Sequence, residues 1–157
     1  MNGPPTTSRR RRPQRGIVAV EMAITLPFLL LLMLSVAELG RVLFQSNMLT
    51  KATRDAARYL ANEAIVGGTD VIQIDAALET ATKNLLIYGS TTAGQTPLLP
   101  QLSAGDITVS APDTVHVSVV VNYTYRSMLG TALPSFGLGR ELPFDIPLAA
   151  AVVMRAL

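Results

Sequence analysis

The feature that most constrains this chain is an apolar run from Ile17 to Ala37, IVAVEMAITLPFLLLLMLSVA. As a helix it reaches about 31 Å, one hydrocarbon thickness of a bilayer. It holds one charge, Glu21, one proline, Pro27, and two hydroxyls, Thr25 and Ser35. The run predicts a transmembrane helix. Composition points the same way. The 157 residues are 49% hydrophobic and 15% charged, against about 25% charged in an ordinary soluble domain. A typical cytosolic globule is thereby excluded.

Charge gives the run a direction. Arg9, Arg10, Arg11, Arg12 and Arg15 precede it with no acidic residue among them, and the next basic residue after it is Arg41. Arginines on the N-terminal side predict a cytoplasmic N-terminus and an exported C-terminus. From Ile17 onward eight basic residues face eleven acidic ones, a formal charge of −3. The basic character therefore belongs to a short leader, residues 1–16, and not to a nucleic-acid-binding body. No nucleic-acid partner is expected. A cleaved secretory signal is the competing reading of the run. Its apolar core exceeds the roughly 7–15 residues of such signals, and Leu34-Ser35-Val36-Ala37 fits their small-x-small cleavage pattern poorly.

Beyond the membrane the helical pattern continues. Leu39, Leu43, Leu49, Ala52, Ala56, Leu60 and Ala64 recur at helical spacing, with Lys51, Arg54, Asp55 and Arg58 on the other side. This predicts one helix to about Ile65, some 72 Å long, stopped by Gly67-Gly68. A second helix is expected from Asp70, as its cap, to about Tyr88, with Gly89 as its stop. Residues 89–105 are rich in Gly, Ser, Thr and Pro and read as loop.

The period then changes from 3.6 to 2. Ile107 to Ala111 reads as a short strand, Pro112-Asp113 as a turn, and Val115 to Arg126 as a half-buried strand. In the latter, Val115, Val117, Val119, Val121, Tyr123 and Tyr125 share one face. Residues 127–144, with Gly130, Pro134, Gly137, Gly139 and Pro143, read as loop, and Asp145 to Arg155 as a last strand. The expected fold class is α+β: a long N-terminal transmembrane and amphipathic helix, a second helix, and a small antiparallel sheet of about three strands. The expected organisation is a basic leader over 1–16, a membrane helix over 17–37, a continuing amphipathic helix over 38–66 and an exported domain over 70–157. The amphipathic helix is expected to cover the apolar face of the sheet.

Catalytic residues are not expected. With no cysteine and one histidine, thiol chemistry, thiolate metal sites and multi-histidine sites are excluded. His116 sits near Asp113 and Ser118, but consecutive residues of one strand do not make a triad, and no nucleophile elbow is present. Asp106 and Asp113 lack the spacing of a calcium loop. Gly137-Leu138-Gly139 lacks a dinucleotide-binding context. Tyr123 and Tyr125 read as core. Glu38 marks the outer membrane boundary and reads as a solvated interfacial charge, with Arg41 three residues on as its available partner. No metal or other cofactor is expected.

One carboxylate, Glu21, lies five residues after Gly16 at the head of the apolar helix. This arrangement resembles the prepilin signal of type IV pilins. The wider pattern, Arg15-Gly16-Ile17-Val18-Ala19-Val20-Glu21-Met22-Ala23, then Pro27, the leucine run, Glu38 and Ala56-Ala57-Arg58, is similar to the TadE-like family. Those proteins are pseudopilin-type components of the bacterial tight-adherence (Tad, or Flp) pilus machinery. The resemblance covers about residues 9–60. It implies a pilin-like fold and a minor-pilin or pseudopilin role in pilus biogenesis. It implies cleavage between Gly16 and Ile17 by a membrane-embedded prepilin peptidase. Glu21 would then meet the freed amine of a neighbouring subunit. The implied partners are that peptidase, other pilins or pseudopilins, and inner-membrane assembly proteins. The implied location is the bacterial inner membrane, single-pass, with the C-terminal domain exported. The alternative is an unprocessed single-span scaffold of the pilus or secretion machinery, sharing the topology without the cleavage. An exported enzyme on a membrane anchor is the third class, and no convergent acid, base, nucleophile or metal set supports it.

Overall fold

The computed structural model describes residues 15–65, 71–128, 132–133, 142–143 and 145–157. The arginine cluster at 9–12, Gly67-Gly68, Asp70 and the glycines of the 127–144 loop lie outside the described residues. The elements in chain order are α1 (Arg15–Glu63), α2 (Ala76–Tyr88), a 3₁₀ turn (Ala104–Asp106), β1 (Ile107–Ser110), β2 (His116–Arg126), β3 (Ala132–Leu133), β4 (Leu142–Pro143) and β5 (Asp145–Arg155). The chain divides into two compact units, Met1–Ala37 and Glu38–Leu157.

The described part of the first unit is the opening stretch of α1. The helix runs unbroken through Pro27. Thr25 and Ser35 donate their hydroxyls to the carbonyls of Glu21 and Leu31, at 2.9 and 2.8 Å. Each hydroxyl is thus satisfied within its own helix, which is what an apolar surrounding demands. From Gly16 to Ala37 every side chain is exposed except the half-buried Leu31. Among the described residues, α1 is the one helix long and apolar enough to cross a membrane.

The second unit is built around a three-stranded antiparallel sheet of order β1-β2-β5. Register follows the alternation read from the sequence. Val117, Val119, Val121, Tyr123 and Tyr125 of β2 are all buried, while Asn122, Thr124 and Arg126 are exposed. Val119 stands opposite Val109 on one side and Val152 on the other. Ala156 donates its N–H to the Val115 carbonyl at 2.9 Å. That bond sets the parity of the β2–β5 ladder. By that parity Pro147 falls where its missing N–H faces the outer edge and costs no rung.

The core is one buried cluster. It joins Leu49, Ala52, Ala56, Ala57, Leu60, Ala61 and Ala64 of α1 to the inner face of the sheet, to Leu86 and Ile87 of α2, and to Leu99 and Leu102 of the following loop. The amphipathic stretch of α1 thus covers the sheet as expected. Buried Thr53 and Thr82 donate to the Leu49 and Leu78 carbonyls, both at 2.7 Å. At its far end α1 is stitched to the C-terminus, where Leu157 donates its N–H to the Ala61 carbonyl at 3.0 Å.

Three details differ from the sequence reading. α2 starts at Ala76, not Asp70. Its cap is Asp75, whose carboxylate accepts from the Leu78 N–H at 2.7 Å. The preceding Val71, Ile72 and Ile74 are β-branched, and Ile72 instead forms a bridge with Ile65. Gly89 closes α2 as expected, at φ 74°. Within the 127–144 segment β3 and β4 form a two-residue ladder, Ala132 opposite Pro143 and Leu133 opposite Leu142, where loop alone was expected. The helical stripe also starts differently. Leu39 and Leu43 are 59% and 56% exposed, and the buried positions at that end are Glu38 and Gln45. Hydropathy picked the leucines, whereas packing chose the polar side chains.

Leu60→Ala keeps the helix propensity and opens a cavity at a fully buried position, at a cost of about 2–5 kcal/mol. Asp75→Ala removes one cap and costs about 1 kcal/mol. Urea unfolding of the detergent-solubilised chain, read as midpoint shifts, checks both the size and the order of these effects.

Candidate functional site

The residues singled out by the sequence open α1. Gly16 lies in the first helical turn, and a Cβ placed there would meet nothing within 4 Å. Packing therefore does not require a glycine. Ile17 is 73% exposed. The amides of this turn have no intrahelical carbonyl to bond, so the Gly16–Ile17 peptide is among the easiest in the helix to unwind. Glu21 stands one turn further along, exposed, beside the apolar side chains of Ile17, Val20 and Ile24. Among the described residues no group donates to its carboxylate. Of the leader arginines, Arg15 begins the helix, and Arg9, Arg10, Arg11 and Arg12 lie outside the described residues.

A second polar constellation sits in the other unit and was not legible as a site. Glu38 is 4% exposed, which overturns its reading as a solvated interfacial charge. The Tyr125 hydroxyl donates to Glu38 Oε2, the Met128 N–H donates to Oε1 at 3.0 Å, and the Ser127 side chain adds a further hydrogen bond. Two turns along the helix, Gln45 accepts at its Oε1 from the Tyr123 hydroxyl at 3.0 Å. The same hydroxyl reaches the Pro100 carbonyl at 3.0 Å. Two polar side chains of α1 are thus met by two tyrosines of β2. An unmet carboxylate in such a place would be prohibitive. Arg41 makes no ion pair with Glu38 and acts on it only as a nearby charge.

Burial, then the hydrogen bond and charge of Glu38, push the Tyr125 hydroxyl up from 10.0 to about 12. Burial likewise raises Tyr123, against the opposing charge of Arg41. The sequence signal for this cluster was present but weak. Positions 38, 45, 49, 52, 56, 60 and 64 form one helical stripe, and the two tyrosines are the only donors on the buried face of β2.

His116 and Asp113 belong to a turn. Asp113 Oδ1 accepts from the amides of Val115 and His116, at 2.9 and 2.6 Å, and Oδ2 lies 2.7 Å from His116 Nδ1. The Val115 amide, then the His116 side chain, hold the Asp113 carboxyl below its ordinary range. Ser118 is buried, and no hydrogen bond joins it to His116. This is a strand-entry turn of the Asx kind, not a nucleophile with its base.

A phenol whose pKa is raised on folding stabilises the fold fully below its unfolded value, and that stability is lost as pH rises through the folded value. Tyr125 therefore places an alkaline limb of instability between pH 10.0 and about 12. Tyr125→Phe abolishes the limb, leaves Glu38 one donor short and costs about 1–3 kcal/mol at neutral pH. Glu38→Gln moves the highest tyrosinate transition down towards 10.0. Tyrosinate absorbance against pH, with near-ultraviolet circular dichroism as the folding readout, tests both.

Comparison with known families gives one informative match: residues 16–58 fit a family model described as TadE-like protein. Comparison with curated proteins gives no match, and neither does comparison with solved structures. The matched stretch opens at Gly16, takes in Glu21 and the whole apolar run, and continues through Glu38, Arg41 and Gln45 to Arg58. From the head of its apolar helix to the middle of its buried stripe, this chain is similar to the TadE-like family.

Proposed function

We propose that this protein is a pseudopilin-type subunit of a Tad-type pilus machinery, a membrane-anchored, single-pass protein whose leader is removed between Gly16 and Ile17. Its place is the bacterial inner membrane, N-terminus in the cytoplasm and sheet domain exported. Its role is structural, in pilus biogenesis or initiation. A prepilin peptidase is the partner that cuts it, and other pilins and assembly proteins are the partners it then meets. The observation that carries this reading is Glu21: a carboxylate with no partner among the described residues, five residues after a glycine that packing does not need, on an otherwise apolar and largely exposed stretch of helix.

Physical chemistry supports each step. Arginines hold the leader at the anionic cytoplasmic surface. The Gly16–Ile17 peptide is in a first turn that unwinds readily, and glycine lets an extended backbone approach a catalytic site closely. Cleavage removes the five leader arginines and creates an α-amine at Ile17. Glu21 costs about 3 kcal/mol inside a bilayer when unpaired. Pairing with the Ile17 amine of an adjacent subunit offsets that cost and sets the axial register between the helices. Pro27 removes one rung of the helix two turns on, where local melting during assembly is least costly.

The mature N-terminus is the deciding measurement. Intact-mass analysis of the membrane-extracted chain, with and without a co-expressed prepilin peptidase, gives a species beginning at Ile17 only when the peptidase is present. Gly16→Leu retains the leader. Glu21→Gln is processed normally but fails to assemble. A chain that keeps Arg9–Arg15 under both conditions sinks the pseudopilin mechanism and leaves the unprocessed scaffold.

A further inference from the structure

A small enclosed pocket of about 180 Å³ opens beside the Glu38–Tyr125 cluster, lined among others by Arg41, Gln45, Gln101, Thr124 and Arg126. Its chemistry is one-sided. Arg41 Nη1 is buried, with no hydrogen-bond partner among the described residues. Arg126 makes no ion pair among the described residues, and no carboxylate lines the pocket. Gln45 has committed its Oε1 to the Tyr123 hydroxyl, which leaves its amide N–H groups as the free end of that side chain. Gln101, on the rim, is held at φ 65°, a left-handed conformation that a non-glycine residue adopts only when its surroundings impose it. Among the described residues the pocket therefore carries two guanidinium groups and no carboxylate to meet them.

A buried guanidinium nitrogen without a partner is costly in a finished fold, and its natural complement is an oxyanion. A snorkelling arginine extends its head into water, whereas Arg41 tucks one of its terminal nitrogens out of solvent. The position along α1 identifies the source of the anion. Arg41 follows Ala37, the last residue of the apolar run, by four residues, about 6 Å of helical rise. Leu43 and Phe44, just beyond it, are 56% and 64% exposed. With the apolar run to Ala37 in a bilayer, as proposed above, a residue four positions further along the helix falls near the level of the lipid phosphates.

We propose that this pocket binds the phosphodiester of a membrane-lipid headgroup, held in the fork of Arg41 and contacted by Arg126 and the Gln45 amide. The contact is independent of the leader and of Glu21. It requires membrane anchoring but not cleavage.

Native mass spectrometry of the full chain in detergent tests this, with phosphatidylglycerol, diacylglycerol and inorganic phosphate as separate probes. The expected result is one phosphatidylglycerol retained per chain, no retention of diacylglycerol, and no displacement by inorganic phosphate. Arg41→Gln and Arg126→Gln each weaken retention by at least about tenfold, as loss of a charge-assisted hydrogen bond would. Arg58→Gln, an exposed control on the same helix, leaves it unchanged. Arg126 is exposed at a strand end, so its variant folds even if Arg41→Gln does not, and Arg41→Lys keeps the charge while removing the fork. Retention unchanged in Arg126→Gln and in a folded Arg41 variant overturns the proposal. So does equal retention of diacylglycerol, which would mean an acyl-chain groove only. Displacement by inorganic phosphate overturns the lipid assignment and leaves a free-anion site. The mass of each species also reports whether the leader is present, so failure of this site and failure of processing are read separately.

Discussion

A carboxylate removed from water must be met on both oxygens, and the way Glu38 is met organises the sheet-bearing unit of the molecule. Tyr125 takes one oxygen and the Met128 amide the other. With the Gln45–Tyr123 bond two turns further on, the helix is fixed against β2 at two points. A purely apolar contact between a helix and a sheet can slide, since dispersion and burial have little direction. Two hydrogen-bonded pairs of high sequence separation cannot slide without leaving a buried charge exposed to nothing. The register of α1 on the sheet is therefore set by polar chemistry at one end and by packing along the rest.

Along that packing the helix presents mostly small residues. Ala52, Ala56, Ala57, Ala61 and Ala64 of α1 are buried in the same cluster as Val117, Val119 and Val121 of β2. Alanine contributes little area per residue but loses no side-chain entropy on burial. The bulk needed to fill the remaining volume comes from Leu49 and Leu60 on the helix, Leu86 on α2 and Tyr125 on the sheet. The stitch from Leu157 to Ala61 closes the same contact at the opposite end from Glu38.

The fold was largely legible in the sequence because its periods are clean. Twenty-one apolar residues, a 3.6-residue stripe and a strict alternation over β2 leave few alternatives. What could not be read is also instructive. Glu38 looked solvated because a charge at the end of an apolar run ordinarily is. Its burial depends on Tyr125, 87 positions away, and no local pattern encodes that distance. Leu39 and Leu43 were assigned to the buried stripe on hydropathy alone, yet a helix leaving a membrane has two apolar demands, one from lipid and one from its own domain. The start of α2 moved to Asp75 because β-branched residues ahead of it prefer an extended bridge to a helical turn. Gly16 and Glu21 are a different case: among the described residues neither makes a contact that explains it, and their role rests on the proposed processing and assembly.

The outer edge of β5 has a consequence for how the sheet meets other strands. Nothing among the described residues pairs with that side of the strand, and its face there carries Ala149, Ala151 and Val153, with charge only at Asp145 and Arg155. Such a strand invites a neighbour to extend the sheet. Pro147 interrupts the invitation. It withholds one donor from the open side while leaving the inner ladder whole, so a strand arriving from outside loses a rung two residues in. The edge is thereby open to brief contact yet poor at building an indefinite sheet.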